Sequence, residues 1–340
     1  MMIRFFLATL LPVALLVLAS AWGGIWAVLA LGCMTALALG LDQITRSIAP
    51  PLPGLSAAAA LARGLGLAHF GLWVLAITAL GNGWLHSLTE KAVLFLAFGI
   101  FFGQISNSVA HELIHAPNRW AQRLGQWVYT SLLFGHHNSA HRLVHHSHVA
   151  TDMDPNSARY GENFYSFFLR SWDGSFRAGM AAETARRTGM KSNTSLHPYV
   201  GYVSGAIGFL LLAAILGGLS GVLWFLALAL YAQMQLMLSD YVQHYGLRRH
   251  ARADGKPEPV GPQHSWNAPH WYSASMMLNA PRHSDHHMKP AKPFETLDLN
   301  AATMPMLPYS VPVMAVIALI PPLWRRVMHR RLRKWQSPAQ

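Results

Sequence analysis

Charge is what this sequence has least of. Asp, Glu, Lys and Arg make up 12% of its 340 residues, about half the quarter that a soluble surface carries, so an ordinary water-facing globule is excluded. Cysteine is nearly absent too. Cys33, alone in the chain and set in an apolar run, can form neither an internal disulfide, a thiolate zinc site nor an iron–sulfur centre. No glycine-rich dinucleotide fingerprint is visible, since the best cluster, Gly64-Leu65-Gly66, follows no strand pattern. Acidic residues are sparse as well, 14 against 26 Lys and Arg for a net charge of +12.

What is present is apolar length. A hydrocarbon core about 30 Å thick needs roughly twenty apolar helical residues, and six stretches qualify, in three pairs at about 5–20 and 22–41, 65–85 and 92–110, 199–216 and 221–238. Asp42 marks the exit of the first pair, Glu90 and Lys91 sit in the turn of the second, and Gly217, Gly218 and Gly221 hinge the third, which ends at Asp240. The fold expected is an all-α integral membrane protein, a single domain over residues 1–340, with six transmembrane helices and a histidine-rich cap built from about 111–198 and 239–305. The N-terminal 21 residues share the pattern of a signal peptide, but no hydrophilic segment follows them, so they are read as a span. Residues 306–324 are apolar but carry Pro308, Pro312, Pro321 and Pro322, which points to a re-entrant or interfacial segment rather than a span.

With six spans, both termini and both long loops share one face. Of the 26 Lys and Arg, 25 fall on that face and Lys91 on the other, which identifies the long-loop side as cytoplasmic in a bacterial-type inner membrane. The positive balance is therefore topological. Arg325, Arg326, Arg330, Arg331, Arg333 and Lys334 suit anionic headgroups, and no zinc finger or aromatic-interleaved basic module argues for nucleic acid.

Histidine is the anomaly, with 16 of 19 between His111 and His287. His111 and His115 lie four apart at the end of the fourth span, on one helix face. His141, His145 and His146 form a second group, His283, His286 and His287 a third, and His244 stands at the end of the sixth span. One span out and one back separate His111 from His244, so all four segments can meet at one membrane face. Neutral imidazole suits iron, zinc or copper; nine rings overfill one tetrahedral site and suit two ions. His136, His137 and His148 read as orienting neighbours, and His69, His86, His197, His250, His264, His270 and His329 as structural. Glu112, Asp285 and, more weakly, Asp240 are candidates to accept imidazole N–H bonds.

In this order along the chain, HELIH at 111–115, HRLVHH at 141–146, Val149-Ala150-Thr151 with Asp154-Pro155, the segment Tyr241 to Leu247, His264-Ser265-Trp266-Asn267, Arg282 to His287 and Pro321-Pro322-Leu323-Trp324-Arg325 resemble the membrane-bound alkane 1-monooxygenases, within the wider di-iron hydroxylase and desaturase class. The resemblance implies a non-haem centre of two iron ions held by His111, His115, His141, His145, His146, His244, His283, His286 and His287. It also implies O2-dependent terminal hydroxylation of n-alkanes or similar chains, with electrons from rubredoxin and its reductase, or from a ferredoxin-type donor. Ala116, Ala140, Val144, Gln243 and Ala280-Pro281 depart from that pattern around the ligands, where changes tune reactivity. The alternatives are a related oxygenase of xylene, terpene or acyl chains, a zinc hydrolase using Glu112 as base, and a histidine-rich metal transporter.

Overall fold

The computed structural model describes residues 2–44, 49–82, 87–189 and 196–336. Twelve helical elements carry the fold among them, and the only β pairing is two isolated bridges. Helices α1 (Ile3–Trp22) and α2 (Gly24–Ile44) are joined by the tight turn at Gly23 and Gly24, both at positive φ, a conformation that glycine adopts without steric cost. Helix α3 (Ser56–Gly81) starts nine residues before the expected span, because its first turns, with Arg63, extend beyond the charge-free stretch. The expected end of that span, and His86, lie outside the described residues. Helix α4 (Leu88–His115) opens on a capping box in which Ser87 and Glu90 satisfy each other's backbone amides, and it runs through a π-helical stretch at Phe101–Ser106 into HELIH.

After α5 (Arg119–Ser131), the helical segment α6 (137–148) carries the second histidine group, and α7 (Phe164–Thr188) packs across it. Helix α8 (Pro198–His244) has 47 residues, about 70 Å if straight at 1.5 Å per residue, more than twice the hydrocarbon core. It is not straight. Gly218 has φ 59° and ψ −153°, and Trp73 on α3 meets Phe209 at 5.3 Å on one side of the break and Phe225 at 5.1 Å on the other. The chain therefore doubles back at the expected hinge. A Cβ on Gly81 would lie 3.0 Å from Gly217 Cα and 3.1 Å from Gly221 Cα, so the absence of side chains there is what lets the hairpin bend sit against α3.

Among the described residues five helices, α1, α2, α3, α4 and α8, are long and apolar enough to cross a membrane. Beyond them come the short α9 (Trp271–Met276) and α10 (His283–Met288), then α11 (Val311–Ala318) and α12 (Pro321–Gln336). Helix α11 has eight residues, about 12 Å, too short to span; its proline and the two of α12 stand in the first turn, where a missing N–H costs nothing. The packed interior has an apolar part between α1, α2, α3, α4 and α8, and an aromatic part around Tyr241, Tyr245, Trp266 and Trp324 that roofs the histidines.

Candidate metal centre

Four segments deliver the nine histidines to one place. Helix α4 contributes His111 and His115 from one face, with ring centroids 5.2 Å apart. In α6 an α-helix would turn the fifth residue after His141 about 140° away from it. Residues Ala140–His145 instead form a π-turn, whose i→i+5 bonding widens the helix and brings His146 back beside His141, with Nε2 to Nε2 of 2.9 Å. His244 ends α8, and the short α10 presents His283, His286 and His287.

The rings sort into two adjoining groups. His111, His115, His141, His146 and His286 form one and His145, His244, His283 and His287 the other, each with candidate ligand atoms within 4.8 Å of one another. The groups touch through His146 and His287, 4.7 Å between centroids, and through His141 and His145, 5.1 Å.

The donor set fits a metal on two counts. The His146 Nε2 lies 3.1, 2.9 and 3.2 Å from the Nε2 atoms of His115, His141 and His286, yet one nitrogen offers a single proton or lone pair and cannot satisfy three such neighbours. In the second group His283 Nε2 is 3.0 Å from His244 Nε2 and 3.1 Å from His287 Nε2. Imidazole nitrogens about 2.1 Å from one ion and at right angles about it are about 3 Å apart, so these spacings are those of cis ligands. The buried His111 Nε2 and His145 Nε2 have no hydrogen-bond partner, as lone pairs aimed at a cation would require.

Protonation agrees. Burial, with neighbouring imidazoles adding to it, holds His137, His141, His146, His283, His286 and His287 well below the ordinary imidazole value, keeping the rings neutral. His145 goes the other way: burial pulls it down, but the Asp154 carboxylate, with Asp240 behind it, carries it above the ordinary value. Asp154 Oδ2 accepts from His145 Nδ1 at 2.9 Å, which fixes the tautomer that leaves Nε2 free.

The acidic candidates fall elsewhere. Glu112, one residue round from His111, accepts from the Phe294 amide at 3.4 Å. Asp285 pairs with Lys292 Nζ at 2.6 Å and accepts from the Asp298 amide at 2.7 Å. Asp240 accepts from Asn156 Nδ2 at 2.6 Å and reaches His145 only through its charge. Among the hydrogen bonds between described residues, none joins these three carboxylates to the nine rings. Asp154 does that work. Its signal was Asp-Pro eight residues beyond the second histidine group, which read as a family motif and not as a hydrogen-bond acceptor.

Of the outlying histidines, His69 is buried between Ser106 and Ser131 at 2.8 and 2.7 Å, a structural residue. His137 stands 5.0 Å from the His141 ring outside both groups. The departures also have visible roles. Ala140 packs where a Cβ on Gly179 of α7 would be 3.1 Å from its Cα, and the next turn of α7 places Glu183 on Ser139 Oγ at 2.8 Å. Gln243 accepts from Ser239 at 2.7 Å and donates to Ala280 O at 3.2 Å, a donation that a carboxylate could not make.

Beneath the histidines lies a cavity of about 530 Å³ between α2, α4, α8 and α11. His111, His137, His141 and His283 form its polar end, while Met34, Leu39, Ile100, Leu238, Val316 and Leu319 are among its apolar walls.

Residues 89–318 match the model of the fatty acid desaturase family, two thirds of the chain, enclosing every segment of the histidine site. The chain belongs to that family. Among its relatives are an alkane 1-monooxygenase from Pseudomonas putida, 34% identical over 73% of this chain and 62% of the relative, and alkane 1-monooxygenase 2 from Pseudomonas aeruginosa, 31% identical over 71% and 64%. The chain thus matches somewhat less than two thirds of the length of these curated relatives. A xylene/toluene monooxygenase hydroxylase component from Pseudomonas putida is 26% identical over 93% of this chain and 85% of its own length.

Proposed function

We propose that this family member is an O2-dependent hydroxylase of hydrocarbon chains, an alkane 1-monooxygenase, holding two iron ions. His111, His115, His141, His146 and His286 would hold one and His145, His244, His283 and His287 the other. The observation that carries this reading is the apolar cavity ending on the histidines. Its volume lies within the roughly 300–1,000 Å³ of small-molecule sites, and its walls are mainly apolar, with a minority of polar side chains such as Gln104, Asn107, Gln235 and Gln243 among them.

Bound there, the iron pair would supply dioxygen activation, the chemistry that side chains lack. The overall balance takes one C–H bond, O2, two electrons and two protons to an alcohol and water. The chain's own contribution is positional. The cavity walls hold one end of the substrate at the histidine end and exclude water, and Asp154 keeps His145 oriented with its lone pair inward. Reading α8 as two passes gives six spans, and the gathering of positive residues on the long-loop face supports a site on the cytoplasmic side. The chain has no redox cysteine set, so electrons come from outside, from rubredoxin or a ferredoxin-type protein.

The match to the xylene/toluene component over nearly the whole chain supports a second substrate class, methyl-aromatics. The hydrolase reading loses its base, since Glu112 faces Phe294. A transporter would carry its ligands near the bilayer midplane, whereas these lie at and beyond the ends of α4 and α8. The test is purified protein reconstituted with iron and an electron donor, supplied with octane, hexadecane and xylene. About two irons per chain and a primary alcohol from an alkane are expected; tightly bound zinc without product would refute the proposal.

A further inference from the structure

Helix α12 is the most basic helix among the described residues and packs against the segment around His244, through Tyr241, Tyr245 and Gly246. Its Trp324, Met328 and Leu332, four residues apart, are buried, which turns Arg325, Arg326, Arg330 and Lys334 outward. The inner face is seated on the residues that follow His244. Gly246 has φ +71°, and a Cβ there would come within 2.7 Å of Leu332 Cδ2. His329 Nε2 is 2.8 Å from Tyr245 Oη, and its Nδ1 is 3.2 Å from Tyr160 Oη.

At the C-terminal end of α12 a pocket of about 190 Å³ opens between the helix and residues 301–306. Arg331, Lys334 and Trp335 line one side, Met304 and Met306 the other, with Trp266 beneath, and no Asp or Glu lines it. Trp266 donates from Nε1 to Tyr245 O at 2.9 Å and from its amide to Gln243 O at 2.7 Å. The floor of the pocket is therefore bonded to the residues on both sides of His244, a member of the buried four-histidine group. A cationic rim, an aromatic edge and two thioethers around a small cleft are the make-up of an anchoring point for a protein surface.

Two occupants compete for these cations, a lipid surface and an acidic protein. Arg325 and Arg326 follow closely in sequence on the exposed apolar side chains of Ile320 and Leu323 and suit headgroups. Lys334 lies about 14 Å further along the helix axis, beside the pocket and above the path to His244.

We propose that the C-terminal half of α12, with the pocket beside it, is the docking site of a small acidic one-electron iron–sulfur or rubredoxin-type carrier. This rests on the oxygenase reading and locates its electron entry. Each docked carrier gives up one electron and leaves oxidised, so two dockings supply one turnover. Charge complementarity of this kind acts on encounter and is screened by salt.

The test uses the full chain, iron-loaded, in zwitterionic nanodiscs, with a rubredoxin and a ferredoxin as probes and the Kd measured at about 50 and about 200 mM salt, on either side of the range in which the Debye length is near 10 Å. One carrier should bind the wild type. R330E/R331E/K334E should weaken that binding about tenfold or more and flatten its salt dependence, with iron content and thermal midpoint unchanged. R325E/R326E should shift the Kd less than about threefold while lowering binding to phosphatidylglycerol vesicles. A Kd unchanged in the triple variant, binding of neither carrier by the wild type, or an effect confined to R325E/R326E would overturn the docking site. Carrier binding through this patch without any hydroxylated product would instead leave the docking site standing and sink the oxygenase reading.

Discussion

At the residue scale the decisive group is Asp154. A carboxylate that holds the far nitrogen of a liganding imidazole contributes about 10–100-fold in metal affinity, so Asp154→Ala is expected to lose iron by that factor, read as metal content after dialysis against a graded chelator. Glu112→Gln, whose carboxylate only caps Phe294, should retain its iron. The neutral rings make a second prediction. Six imidazoles outside the spans have folded values depressed by burial, so below pH 6.5 the unfolded chain binds protons that the folded one refuses, and stability falls. Each ring contributes up to about 1.4 kcal/mol per pH unit there, while His145, raised, acts in the opposite sense. The thermal midpoint of metal-free protein in detergent should be flat above pH 7.5 and drop steeply between pH 7 and 5.5. A flat profile through that interval would contradict buried neutral rings.

At the scale of elements, local helix geometry decides which histidines meet. The spacing of His111 and His115 reads directly as one face of an α-helix. His141, His145 and His146 do not, because their convergence depends on the π-turn at Ala140–His145, and no propensity distinguishes that turn from an α-turn. Inserting one alanine after Leu143 should swing the last two rings by about 100° relative to His141 and abolish metal binding in both groups, while helix content by circular dichroism stays within a few per cent. The bend of α8 was legible because three glycines interrupt an apolar run. Gly221→Val is expected to prevent the hairpin from closing, since even a Cβ there would lie 2.7 Å from Ala213 O; expression with little protein recovered from mild detergent is the readout.

At the scale of the whole molecule, the cavity sets what the site can take. Its floor is built from α2, α4, α8 and α11, elements far apart in sequence, and α11 is the apolar helix of eight residues that is too short to span. Val316 lines the cavity, and Val316→Trp should shorten the longest chain accepted, moving product from long to shorter alkanes in competition assays while iron content stays unchanged. Equal product ratios in the variant would mean that the substrate lies elsewhere.

The sequence by itself determined the solvent, the apolar helices, the side on which charge collects and the nine histidines, because hydrophobic length, charge asymmetry and ligand type are properties of residues in order. Only the tertiary structure decided how those histidines divide between two groups, which carboxylate orients His145, and where the cavity runs. Those outcomes come from contacts between segments as distant as His111 and His286, and from a turn one residue wider than an α-helix. Neither is encoded in any local pattern.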